Sequence, residues 1–141
     1  MNKPIILIGG APGTGKTSLA KDLVSKLDLD HQLGAGFIRE IVRAETTPER
    51  DPELFGFVFA AADPIARLKA QAERLRPAIE ACIRRARDEG TSLAIDGYCL
   101  IPEVYADLTV DLYLILDAGP RLDHHTRLHG KRHTIRSLSD A

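Results

Sequence analysis

The apolar positions of this chain change spacing several times, and each change marks an element. Ile5-Ile6-Leu7-Ile8 is a continuous β-branched run without alternation, which predicts a parallel strand buried on both faces. Leu19, Ala20, Leu23, Val24 and Leu27 then recur at helical spacing, so a helix is predicted from about Thr17 to Leu27. A short second strand is expected between Asp28 and Gly36. Phe37 to Ala44 reads as a helix, with Phe37, Ile38, Ile41 and Val42 on one side and Arg39, Glu40 and Arg43 on the other. Thr46 to Pro52 is polar and carries Pro48 and Pro52; it predicts a loop that acts as a hinge or a substrate-facing insert, and up to this point in the chain it is the segment most expected to move. Leu54 to Ala62 is apolar and Phe-rich, and Pro64 closes it or opens the next helix at its first turn.

From Ile65 to about Asp88 the series Ile65, Leu68, Ala72, Leu75, Ile79, Cys82/Ile83, Ala86 steps by threes and fours, the mark of a long amphipathic helix. Pro77 is expected to kink or divide it, because proline lacks the backbone donor and crowds the carbonyl four residues earlier. Gly90 suits a C-cap, and Arg84, Arg85, Arg87, Asp88 and Glu89 read as a solvated face. Ser92 to Gly97 predicts a buried strand ending in the carboxylate of Asp96. Tyr98 to Pro102 predicts a loop, Glu103 to Leu108 a short turn or helix, and Val110 to Leu116 a further strand ending at Asp117. The series is βαβ-like, which predicts an α/β fold with a parallel sheet.

Composition narrows the picture only a little. With 141 residues and 44% hydrophobic content the chain is expected to form a single domain over 1–141 with one core. The net charge of −1 lacks the basic excess of a general nucleic-acid binder, so a small-molecule partner is expected and no nucleic acid. Cys82 and Cys99 are too few and too far apart for a disulfide framework or a zinc cluster, and read as buried thiols in a reducing compartment. No apolar stretch is long enough to span a bilayer, and the first apolar run is cut by Gly9 and Gly10. The expectation is a cytoplasmic protein with no membrane partner.

The candidate chemistry is concentrated in Gly10-Ala11-Pro12-Gly13-Thr14-Gly15-Lys16-Thr17, which fits the phosphate-loop pattern of Gly, four residues, then Gly-Lys-Ser/Thr, in the strand-to-helix context that pattern requires. Successive backbone N–H groups at a helix N-terminus cradle phosphates, and glycines let the backbone approach. Lys16 would reach the β- and γ-phosphates, Thr17 would ligate Mg²⁺, and Ser18 would neighbour the α-phosphate. The plainer alternative is a Gly-rich turn with an incidental lysine. Asp96, at the carboxyl end of a strand, is placed to reach the same Mg²⁺, the alternative being a cap on the following turn.

The segment 121–136 is the one strongly basic region, with Arg121, Arg127, Lys131, Arg132 and Arg136. It reads as a lid that brings Arg127 and Arg132 onto the transferred phosphoryl group, or as a solvated basic terminus. His125, His129 and His133 are four apart, but no carboxylate or Cys joins them as a metal set.

Together with the loop, Phe37-Ile38-Arg39-Glu40-Ile41-Val42-Arg43, Ala81-Cys82-Ile83-Arg84-Arg85-Ala86, Glu89-Gly90-Thr91-Ser92-Leu93-Ala94-Ile95-Asp96-Gly97 and Leu100-Ile101-Pro102 resemble the P-loop kinase domain of 2-phosphoglycerate kinases over nearly the whole chain. The resemblance implies a three-layer, nucleoside-monophosphate-kinase-like P-loop NTPase fold. It also implies transfer of the γ-phosphoryl group of Mg·ATP to a small acceptor, 2-phosphoglycerate, giving 2,3-bisphosphoglycerate, with Arg39 facing the acceptor. Members usually carry an Asp just before Ile-Arg-Glu, where this chain has Gly34-Ala35-Gly36, and they continue into a fifth strand and a closing helix, which implies a shortened or degenerate member. The other readings are a P-loop kinase for a nucleoside, sugar or other acid, and a nucleotide-binding protein without transferase activity.

Overall fold

The computed structural model describes residues 3–117. The candidate lid at 121–136, with Arg127 and Arg132, and the three spaced histidines lie outside the described residues. The elements are β1 (Ile5–Gly10), α1 (Lys16–Leu27), β2 (His31–Gly34), α2 (Ala35–Ala44), two 3₁₀ turns (Pro52–Leu54 and Val58–Ala60), α3 (Pro64–Glu89), β3 (Leu93–Asp96), α4 (Pro102–Tyr105) and β4 (Leu112–Leu116). All the strand pairs are parallel and the sheet order is β2-β3-β1-β4.

Alternation along the central strand feeds two apolar layers, so the architecture is a three-layer α/β fold. Ile5 and Leu7 face α2, α3 and α4, meeting Ile38, Leu75, Ile79, Leu100 and Tyr105. Ile6 and Ile8 face the other way, toward Ala20 and Leu29 with Leu19, Leu23 and Val24 of α1 packed around them. A strand with apolar side chains on both faces needs such a cover on each side, which explains the unbroken apolar run. The loop after β1 leads from the sheet into α1, which covers the face of Ile6 and Ile8, while α2 and α3 cover the opposite face.

The register fixes what meets at the carboxyl edge. Ile8 and Gly34 both pair with Asp96, so the ends of β2 and β3 come level with Ile8, and β1 runs on two residues to Gly10, where the glycine-rich loop begins. Ligands of open α/β sheets collect at this edge. Close approach is bought there with glycine: a Cβ on Gly97 would stand 2.4 Å from the Ala35 Cβ, and one on Gly9 would stand 2.3 Å from the Leu100 carbonyl oxygen.

Polar clamps tie the rim together. The Asp30 carboxylate accepts from the Ser92 amide at 2.8 Å and from Lys3 Nζ at 3.0 Å, joining the start of β2 to β3. Arg76 of α3 forks onto Asp107 at 2.6 and 3.1 Å and also donates to the Val104 carbonyl.

Several expectations need correction. The buried stripe of α2 is Ala35, Ile38, Arg39, with Val42 half-buried; Phe37 is 76% exposed and Ile41 67% exposed. The helix begins two residues earlier than its apolar run suggests, and it rolls Ala35 and Ile38 against the core, which carries Arg39 inward and Phe37 outward. α3 runs unbroken through Pro77. The packing of Leu75, Ile79 and Ile83 on the buried side outweighs one lost backbone bond. Ile65, the first member of the predicted stripe, is 78% exposed. In the loop at 46–52 Asp51 accepts from the Thr46 hydroxyl and from Arg74 Nε of α3 at 2.9 Å. No helix among the described residues is long and apolar enough to cross a membrane.

Candidate functional site

The glycine-rich loop owes its course to positive φ angles, +136° at Gly10, +82° at Gly13 and +91° at Gly15. At Gly15 a Cβ would meet nothing within 4 Å, so backbone conformation rather than space demands glycine there. Gly15 is the N-cap of α1, no side chain caps that end, and no acid sits in its first turn. The first amides of α1 are therefore left to an anionic ligand, at the positive end of the helix dipole. Inside the loop the Thr14 hydroxyl donates to the Ala11 carbonyl at 2.7 Å, and Lys16 Nζ donates to the same oxygen at 2.9 Å. Pro12 is half-buried, and Ser18, one residue past Thr17, is exposed.

Below the loop the Thr17 hydroxyl donates to Asp96 Oδ2 at 3.0 Å. Asp96 is only 6% exposed, and its Oδ1 is sealed from solvent without a hydrogen-bond partner among the described residues. The turn after β3 does not use this carboxylate: the Gly97 amide donates to the Ile8 carbonyl and the Leu100 amide to the Gly97 carbonyl. A buried carboxylate oxygen with no partner, next to a hydroxyl, is a donor set that suits a hard cation such as Mg²⁺, which takes few protein ligands and completes its shell with phosphate and water. Among the described residues no cluster of three or more His, Cys, Asp or Glu offers another metal site.

The pair opens into a cleft of about 370 Å³. Lys16, Thr17 and Asp96 line one part of it, and Gly34, Ala35, Gly36, Phe37, Arg39 and Glu40 of the β2–α2 corner another. Arg39 is 6% exposed, and its Nη2 donates to the Gly56 carbonyl at 2.7 Å. Cys99, also on the wall, is pushed up to about 12 by burial, the charges of Arg39 and Lys16 working the other way, so it is a neutral thiol. Tyr98 extends the wall to an aromatic pile, its ring 5.8 Å from Phe59, which is 5.5 Å from Phe57. A larger cavity of about 430 Å³ lies between β2 and the end of α3, among Leu33, Ala81, Cys82 and Ala86, away from the loop.

The structure thus brings together Lys16, Thr17, Asp96 and Arg39 on one cleft. It adds residues that spacing did not single out, among them Glu40, Gln71, Tyr98 and Cys99. Gln71 had a signal: it is a polar residue set on the apolar stripe of α3, between Leu68 and Leu75 at steps of three and four. Glu40 had none, since an acid on an amphipathic helix reads as solvated.

Fold and site together define a three-layer α/β protein with a glycine-rich strand-to-helix loop at the carboxyl edge of its sheet. Within that class the chain is similar to 2-phosphoglycerate kinases of archaea. It is 32% identical to that of Pyrococcus furiosus over 108 residues, which is 70% of this chain and 36% of the relative. The figures are 29% over 129 residues for Thermococcus kodakarensis, 84% of this chain and 44% of the relative. For Pyrococcus horikoshii they are 30% over 138 residues, 89% and 45%. The chain therefore spans less than half the length of these relatives. No profile of a known protein family matches it. Among solved structures, an uncharacterized protein from Eubacterium ventriosum aligns over 97% of this chain and 65% of its own, with a TM-score of 0.49 and 15% identity.

Proposed function

We propose that this chain is an ATP-dependent phosphotransferase acting on a small anionic acceptor, and that the acceptor is 2-phosphoglycerate, converted to 2,3-bisphosphoglycerate. The observation that carries the reading is that the Thr17–Asp96 pair beneath the glycine-rich loop opens into the same cleft as the buried Arg39. The names of the relatives support both the reaction class and the acceptor. Mg·ATP, when bound, supplies the transferable phosphoryl group and a divalent charge that neutralises it.

The chain's own residues divide the remaining work. The backbone N–H groups of Gly10, Ala11, Gly13, Thr14, Gly15, Lys16, Thr17 and Ser18 would surround the phosphates, Pro12 shaping the loop without an N–H of its own, and Lys16 would exchange the Ala11 carbonyl for the phosphoryl oxygens. Thr17 and Asp96 would ligate Mg²⁺. Arg39, its guanidinium held by the Gly56 carbonyl, would bind the acceptor's phosphate or carboxylate through its planar fork. Arg127 and Arg132 would close over the transferred group from the basic segment.

A second reading, nucleotide binding without transfer, has one observation in its favour: Gly34-Ala35-Gly36 lines the cleft where the resemblance calls for an Asp. ADP release with Mg·ATP, measured with and without 2-phosphoglycerate, separates the two. Acceptor-dependent release supports the kinase. Binding of Mg·ATP with no release in the presence of 2-phosphoglycerate or of other small hydroxy acids, sugars and nucleosides leaves the nucleotide-binding protein.

A further inference from the structure

The cleft contains one buried polar group that the proposed reaction has not used. Gln71, on α3, is 1% exposed and lines the cleft. Its side-chain amide makes one hydrogen bond, from Nε2 to the Glu53 carbonyl at 3.1 Å. A carbonyl only accepts, so this contact fixes the orientation of the amide: the NH₂ faces the 3₁₀ turn at 52–54, and Oε1 is the atom left over. Oε1 has no partner among the described residues, and it is not among the polar atoms sealed from solvent. The residue that carries it lines the cleft. An acceptor oxygen held this way, on a rigid helix and with the amide unable to flip without losing the Glu53 bond, selects for a hydrogen-bond donor on whatever fills the space.

We infer that Gln71 Oε1 reads the hydroxyl of the acceptor, accepting its hydrogen while Arg39 holds the acid group, so that the site selects acids bearing both an anionic group and a free hydroxyl. The inference rests on the acceptor site proposed above and goes beyond it by assigning the specificity of that site to a residue of α3. The two groups divide the ligand by charge. The guanidinium carries only donors and matches phosphate or carboxylate oxygens, whereas the amide oxygen is an acceptor and repels them. Seated with its charge on Arg39, an acceptor therefore turns its hydroxyl toward Gln71. In 2-phosphoglycerate the only hydroxyl is the one that would receive the phosphoryl group, so the contact would also orient the reacting oxygen. A ligand lacking that hydroxyl leaves Oε1 buried without a partner, which is the situation in which polar sites discriminate most strongly.

The experiment compares binding of 2-phosphoglycerate with 2-phospholactate, the same acid with a methyl group in place of the hydroxymethyl, by calorimetry in the presence of Mg²⁺ and a non-hydrolysable ATP analogue. Wild type is expected to prefer 2-phosphoglycerate by about tenfold or more, the scale of one buried hydrogen bond. Gln71→Met, of similar volume but without the oxygen, is expected to bring the two affinities together. Gln71→Glu keeps acceptor oxygens and gives up the donor to Glu53; it is expected to retain the preference while weakening both ligands through its charge. A purely structural Gln71 gives another pattern, with both variants weakening the two ligands alike and the ratio unchanged, and that result overturns the inference while leaving the acceptor site standing. Failure of wild type to bind either compound overturns the acceptor site and the inference with it.

Discussion

The Thr17 hydroxyl donates to the Asp96 carboxylate at 3.0 Å across 79 positions of the chain, joining the first turn of α1 to the end of β3. The bond uses Oδ2 and leaves Oδ1 buried and without a partner among the described residues. A structural carboxylate in such a place would be expected to satisfy both oxygens. Asp96→Asn keeps the shape and an oxygen for Thr17, so the thermal midpoint should move little. The Mg²⁺ concentration needed for half-maximal nucleotide binding should rise about tenfold or more, because a charged ligand is lost from the ion. Superimposable Mg²⁺ titrations of variant and wild type would leave Asp96 a structural partner of Thr17 only.

Lys16→Ala tests the loop. Its ammonium rests on the Ala11 carbonyl, a contact that a phosphate would replace. Loss of one preformed electrostatic donor at a developing charge lowers rate by about 10² to 10³, and acceptor-dependent ADP release should fall by that amount while circular dichroism stays unchanged. Full turnover in this variant would contradict the proposed phosphoryl transfer.

Acid stability should depend on Asp30. Hydrogen bonds from the Ser92 amide, from Lys3 and from the Ser92 hydroxyl lower its pKa to about 2, below the ordinary 3.8. The folded state binds the proton less readily than the unfolded one, so this contribution is complete above about pH 4 and disappears as pH falls toward 2. Chemical denaturation at a series of pH values should show Asp30→Asn less stable than wild type at pH 6, with the gap closing between pH 4 and 2. A gap independent of pH would exclude the linkage.

Two glycines should respond in opposite directions. Gly9→Ala drives a Cβ against the Leu100 carbonyl oxygen, a backbone atom that cannot rotate away, and should destabilise by about 1–3 kcal/mol. Gly36→Ala, in the first turn of α2 with nothing within 4 Å of the added carbon, should be neutral or stabilising by up to about 1 kcal/mol. Urea midpoints of the two variants provide the check, and equal shifts would show that the crowding at Gly9 is relieved by movement of the 98–101 loop.

Arg127→Ala and Arg132→Ala test the basic segment. If it closes over the phosphoryl group, each should lower kcat more than it weakens ATP binding, and Arg→Lys should rescue poorly because the ammonium lacks the planar fork. Wild-type kcat in both alanine variants would rule out a role for the segment in phosphoryl transfer.

Local sequence was sufficient for the parts of this protein whose structure is set by neighbours in the chain. The unbroken run Ile5-Ile6-Leu7-Ile8, the glycines of the loop and the strand ending at Asp96 are legible because a doubly buried strand needs apolar residues on both faces and a positive φ needs glycine. The short β2 and the Gly90 cap of α3 follow similarly. Tertiary structure decided the rest. The apolar count of α2 favours burying Phe37 and Ile41, yet packing against α3 and the sheet buries Ala35, Ile38 and Arg39, placing a guanidinium where sequence would put a phenyl ring. Likewise Gln71 stands out in the chain only as a polar residue on the apolar stripe of α3, and the fold makes it part of a cleft: the 3₁₀ turn at 52–54 turns its amide, and β3 and α2 supply the opposite wall. Periodicity tells how often a helix presents a side chain in one direction, but which direction is inside depends on surfaces brought up from elsewhere in the chain, and there the burial of one residue is decided by the fit of all the others.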